Sequence, residues 1–194
     1  MKVCIVAEGC YPYVVGGVSG WINSMIKSFP NIEFILLTIV ANRSVRGKFV
    51  YELPENLTQV YELYLEDCEW EEGERERKVR KRFHLSKKER TELTNLVMNR
   101  KIEWGVIFDL FQRKGVSVDD LLMGPDFFQI VRECYKRQYA NIVFSDFLWT
   151  MRSIYLPLFW TLKMKVPQAD LYHCVATGYA GVLGSMAKHF HNSS

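Results

Sequence analysis

Two apolar runs separated by a glycine-rich loop and a helix-period segment constrain the fold of this chain more than any other feature. Val3 to Ala7 is continuous and apolar, as a strand buried on both faces requires. It runs into a loop dense in turn formers, Gly9-Cys10-Tyr11-Pro12-Tyr13-Val14-Val15-Gly16-Gly17. Ile22, Met25, Ile26 and Phe29 then recur at helical spacing up to Pro30, and Ser19 is the expected N-cap. Phe34 to Val40 is a second apolar run rich in β-branched residues. Strand, loop, helix, strand is the opening of a parallel sheet, because parallel neighbours need a crossover between them. The expected class is therefore α/β, a Rossmann-like parallel sheet with flanking helices.

The rest of the chain fits that opening with an interruption. Leu57 to Leu65 alternates imperfectly and suits an added strand. Glu66 to Glu76 is acidic and Arg75 to Arg82 basic, the composition of a solvated loop. Ser86-Lys87-Lys88-Glu89 reads as a capping box ahead of Leu93, Leu96 and Val97. Ile102 to Phe111 reads as a helix. Ser117 starts a short helix that Gly124 ends, and Pro125 suits the first position of the next, with Phe127, Phe128, Val131 and Tyr135 inward. Phe147 to Leu162 is the nearest approach to a membrane span. Arg152 and Pro157 interrupt it, so a buried helix is expected. Ala169 to Val175 reads as another buried strand, Thr177 to Gly181 as a turn, and Val182 to Phe190 as a helix. Segment 66–165 thus reads as a helical insertion in the sheet domain. The chain stops at Ser194 just after a strand-helix unit, where a doubly wound domain would add another strand, so a truncation is expected.

Bulk properties exclude several classes. At 194 residues the chain suits one sizeable domain. A net charge of +3 gives no argument for nucleic acid or an anionic membrane. Cys4, Cys10, Cys68, Cys134 and Cys174 are scattered, odd in number and without a C-x-x-C pair, which fits a reducing cytoplasm better than a disulfide framework. No signal peptide is expected ahead of the first strand.

The sharpest chemical feature is Gly16-Gly17. A glycine pair ahead of a helix lets backbone approach a ligand, with amides and the positive end of the helix dipole aimed at it. It is not the dinucleotide fingerprint, since Val15 stands where the first glycine belongs and the loop opens too far beyond the strand. No P-loop pattern is present, and no loop of the kind that cradles flavin phosphate follows the first strand. His189 and His191, two apart on a helix, cannot chelate together, and no metal site is expected. His173 lies at the carboxyl end of a strand, where ligands collect in open α/β sheets. Glu66 and Glu74 are separated by seven residues, but without the glycine-rich strand-helix context that would give that spacing meaning.

Ala7-Glu8-Gly9-Cys10-Tyr11-Pro12-Tyr13-Val14-Val15-Gly16-Gly17-Val18-Ser19-Gly20-Trp21 resembles the amino terminus of PelF-type, family-4 glycosyltransferases, which are associated with the cationic exopolysaccharide Pel in biofilms. Phe147-Leu148-Trp149-Thr150 with Tyr155-Leu156-Pro157-Leu158, and Tyr172 to Gly181, resemble two further segments of that family. The resemblance implies the N-terminal half of a GT-B fold over 1–194, metal-independent and cofactor-free, in a retaining enzyme. It implies a UDP-sugar donor, UDP-glucose in particular, a glycan acceptor, and other exopolysaccharide-assembly proteins as partners. It further implies that Gly16, Gly17 and Ser19 form a substrate- and donor-contacting loop, and that Tyr13, His173, Thr177 and Tyr179 line the cleft. The donor-binding C-terminal domain of such enzymes has no counterpart here, so no catalytic residue is expected in this chain and no activity from it alone. Cys10 and Gly20 depart from the hydroxyl residues common in the family. The alternative is a stand-alone, non-catalytic Rossmann-like module that binds a sugar or nucleotide.

Overall fold

A computed structural model describes residues 1–68 and 84–193. The chain divides into two compact units, Met1–Cys68 with Met164–Ser194, and Glu69–Lys163. The charged blocks between 69 and 83, and Glu74 with them, lie outside the described residues.

The first unit is built on β1 (Lys2–Glu8), β2 (Glu33–Val40), β3 (Leu57–Tyr64) and β4 (Leu171–Cys174). All pair in parallel, in the order β3-β2-β1-β4. The order follows from the sequence: the two strands without an exposed residue, β1 and β2, take the centre. The imperfectly alternating β3 and the four-residue β4 take the edges of the described sheet. Sequence analysis reads Ala169 to Val175 as buried; β4 is instead half-exposed, because only β1 covers one of its sides among the described residues. Register fixes the faces. His173 pairs with Ile5 and Cys174 with Val6, and paired residues of parallel strands share a face.

Helix α1 (Gly17–Ser28) covers the face that Ile5 occupies. Val3, Ile5 and Ala7 of β1 pack there with Phe34 and Leu36 of β2 and with Ile22 and Ile26 of α1. Fully buried, Ile5, Leu36, Ile22 and Ile26 each contribute roughly 1.5–3 kcal/mol. Ser19 is not the N-cap. Gly16 takes that position with fully extended backbone, the helix starts at Gly17, and Ser19 turns inward in the first turn with 1% exposure. At the other end Asn56 Nδ2 donates to the carbonyls of Ile26, Phe29 and Ile32 at 2.9, 3.0 and 3.3 Å, joining the end of α1 to the start of β3.

The last helix of this unit begins earlier than the sequence suggests, at Tyr179 rather than Val182, and runs to His191; it is α7 in chain order after the five helices of the second unit. No side chain at its cap, Gly178, is able to serve. Its second residue, Ala180, donates its amide to the Glu8 carboxylate at 3.3 Å, and that acceptor comes from the end of β1.

The described part of the second unit is helical: α2 (Lys87–Val97), α3 (Trp104–Gln112), α4 (Val118–Leu122), α5 (Pro125–Cys134) and α6 (Phe144–Lys163). The Ser86–Glu89 capping box forms in both directions, Ser117 caps α4, and Pro125 opens α5. A turn of π-helix, Tyr135–Tyr139, extends α5. Phe111, Phe127 and Phe159 meet in the core, with Phe159 ring centroids 5.0 Å from Phe111 and 6.1 Å from Phe127. Phe128 and Tyr135 are only half-buried; Ile130 takes the inward position beside Phe127 and Val131. No helix among the described residues is long and apolar enough to cross a membrane.

Candidate functional site

The carboxyl end of β4 and the first turn of α1 border an open cavity of about 400 Å3, lined by Gly17, Val18, Trp21, His173, Cys174 and Val175. It lies wholly within the first unit, at the carboxyl edge of the parallel sheet, where open α/β folds hold ligands. Its volume falls toward the small end of the roughly 300–1,000 Å3 typical of small-molecule sites.

The long loop between β1 and α1 is not slack. Gly9 donates its amide to Ile39 O at 2.9 Å, and Val50 donates to Pro12 O at 3.0 Å. Tyr11 is fully buried, its hydroxyl 3.3 Å from Asn23 Oδ1 and its ring 5.4 Å from that of Tyr51. Burial, with a smaller contribution from Tyr51, pushes its phenol up to about 12. The sequence places Tyr13 in the cleft. In the structure it sits in a separate cluster with Val40 and Tyr64, and its hydroxyl donates to the Glu62 carboxylate. Burial first, and Glu62 second, raise its pKa. These two tyrosines hold the loop, and the glycines at its end are presented as a consequence.

Gly16 donates its amide to the Tyr51 hydroxyl at 3.4 Å. The first intrahelical bond of α1 runs from Gly20 N to Gly16 O at 2.8 Å, so the amides of Gly17, Val18 and Ser19 have no helical carbonyl to bond. Neither glycine has a positive φ, and a Cβ on either meets nothing within 4 Å. Nothing in the fold of this chain demands glycine at 16 or 17.

Gly17 and His173 both line the cavity; Gly16 adjoins it, and Ser19 is buried beneath. Thr177 is exposed in the turn after β4, and Tyr179 is the first residue of α7; neither lines the cavity. The sequence reading passed over Trp21. It lies one turn beyond Gly17, at the i+4 spacing that puts both on one helix face. Its indole is 49% exposed, with its centroid 5.5 Å from the His173 imidazole and the planes inclined at 39°.

Cys174, beside His173 in the lining, turns its side chain to the other face of the sheet, with Val6. Cys174 Sγ lies 3.2 Å from Ala180 O. Burial raises its pKa and pushes that of Cys4 behind it up to about 12, so both thiols stay protonated and serve as packing atoms, not nucleophiles. Among the described residues, no lysine or arginine lines the cavity. Among the described residues, no three His, Cys, Asp or Glu side chains converge as metal ligands would. The arrangement offers one imidazole, a half-exposed indole and a helix-start backbone, which suits an uncharged polar ligand.

Residues 1–194 match the family described as Domain of unknown function (DUF3492) over their whole length. The chain belongs to that family. No curated protein and no solved structure matches it. In this DUF3492 chain the three segments that carry the resemblance described above fall on the β1–α1 loop, on α6, and on β4 with the start of α7. The first and third of these border the cavity.

Proposed function

We propose that the chain is the acceptor-side domain of a retaining GT-B glycosyltransferase of the PelF type, acting in the cytoplasm with a UDP-sugar donor. The observation that carries this reading is the cavity between the end of β4 and the first turn of α1, which His173 and Gly17 line from the two motifs that resemble that family. Its lack of a cationic lining residue supports an acceptor role over diphosphate binding, since a leaving diphosphate is steadied by positive groups. Those groups belong, on this reading, to a second domain that closes over the cavity. The glycine pair lets the first turn of α1 approach the reacting sugar without a side chain between them.

The test compares residues 1–194 with a polypeptide carrying them together with a donor-binding domain. The larger protein is expected to transfer glucose from UDP-glucose with retention at the anomeric carbon, and 1–194 alone to give no transfer. Turnover by 1–194 itself, abolished by Gly17→Val, would overturn the assignment.

A further inference from the structure

The cavity contains an aromatic arrangement more specific than the domain assignment requires. Trp21 stands outside both buried clusters of its unit, whose α1 face is already supplied by Ile22 and Ile26. It leaves half its indole in water at the cavity mouth, against an exposed histidine. The two ring planes are inclined at 39°, their centroids 5.5 Å apart. A flat nucleobase stacked on the indole would lie inclined to the imidazole and gain no second parallel face from it. A phosphate would meet no cation among the lining residues. A pyranose ring differs from both. One face presents C–H groups and its rim presents hydroxyls, so it can lay the first on an indole and the second on an imidazole nitrogen, which donates or accepts according to its tautomer.

We propose that Trp21 and His173 form a platform for one pyranose ring of a neutral glycan, with the C–H face on the indole and a ring hydroxyl on the imidazole. This rests on the acceptor-side reading and narrows it to an uncharged saccharide seated against the first turn of α1. The amides of Gly17 and Val18 are then placed to bond further hydroxyls at the ring's edge.

The experiment titrates cellotriose, a neutral glucose oligosaccharide, and UMP separately into the full chain. It follows the Trp21 indole N–H and the His173 imidazole by NMR. Cellotriose is expected to shift both in a saturable way, and UMP to leave both in place. Trp21→Ala is expected to weaken cellotriose binding about tenfold, while Trp21→Phe, which keeps an aromatic face, stays within about threefold of wild type. Both positions are exposed, and the wild-type shifts test the idea even if a variant fails to fold. Unmoved Trp21 and His173 signals, undiminished binding by a folded Trp21→Ala chain, or shifts produced by UMP in place of cellotriose would each overturn the platform. The glycosyltransferase reading fails separately. Binding at Trp21 without transfer from UDP-glucose by the larger protein removes the enzyme and leaves the platform. Transfer whose acceptor KM ignores Trp21→Ala removes the platform and leaves the enzyme.

Discussion

Gly184 of α7 passes so close to Cys174 of β4 that a Cβ placed on it would lie 2.3 Å from the cysteine sulfur. Real Cβ atoms do not approach a heavy atom that closely, so Gly184→Ala has to displace Cys174 or lift α7 from the sheet. Helix propensity favours alanine by about 1 kcal/mol, but overpacking costs about 1–3 kcal/mol, and the clash is expected to win. Urea unfolding of Gly184→Ala should show a net loss of stability. Adding Cys174→Ala, which removes the sulfur, should recover most of it, and a double-mutant cycle measures the coupling directly. Additive effects would show that α7 and β4 are not packed through this pair.

A second prediction concerns Asn56, whose side-chain amide serves the carbonyls of Ile26, Phe29 and Ile32 together. These are acceptors at the carboxyl end of α1 and just beyond it, where helix carbonyls lack amide partners. Asn56→Ala removes the shared donor and is expected to cost about 1–3 kcal/mol in urea unfolding. Asn56→Asp should cost at least as much, since a carboxylate presents lone pairs to carbonyl oxygens. Hydrogen exchange should show the loosening first at the last turn of α1.

The sheet was legible because its evidence is local. Val3 to Ala7 and Phe34 to Val40 are short apolar runs of the kind central strands need, and the Ser86 and Ser117 caps and Pro125 act within a single turn of their helices. The errors fall where the deciding partner is remote. The start of α7 depends on Glu8, 172 residues away in sequence. Ser19 looked like a cap because its residue type suits one, but extended backbone at Gly16 starts the helix earlier and turns the serine inward. At the site, Gly17 could be named from the glycine pair ahead of a helix and His173 from its strand-end position. Trp21 could have been found by reading the i+4 neighbour of Gly17 as a second lining residue. The burial of Tyr13 could not, since its partner Glu62 lies on β3 and only folding brings the two together.

Alkaline pH provides a third test. Burial pushes Cys4 from 9.0 to about 12 and, with a smaller effect of Tyr51, Tyr11 from 10.0 to about 12. In the helical unit burial likewise pushes Tyr155 from 10.0 to about 12. Each folded-state value exceeds the unfolded one, so in this range the native chain holds more protons than the unfolded chain. The stability these groups contribute is complete below pH 9 and is lost as the pH rises toward about 12. Urea midpoints should therefore be lower at about pH 11 than at about pH 8, with Cys4→Ala reducing the slope. A midpoint that stays flat across that interval would mean these groups are solvated in the native chain.

Gly17 separates a folding role from a ligand role more cleanly than any other position. Its φ is not positive and a Cβ there meets open space, so no backbone strain and no clash follow from substitution. Gly17→Ala is expected to leave the melting temperature unchanged or to raise stability by about 0.4–1 kcal/mol, through the reduced freedom of the unfolded chain. Gly17→Val should fold equally well, because the core formed by Ile22, Ile26 and β1 lies below it. The side chain would instead occupy the cavity that Gly17 lines together with Trp21 and His173. In the protein joined to its donor domain, loss of two well-placed contacts to the reacting sugar should lower turnover on the order of a hundredfold or more. The decisive comparison is melting against UDP-glucose turnover for wild type, Gly17→Ala and Gly17→Val. A graded fall in turnover from glycine to alanine to valine at constant melting temperature is the expected result. Full turnover by a folded Gly17→Val protein would reduce the glycine pair to a turn and move the reacting sugar away from the first turn of α1.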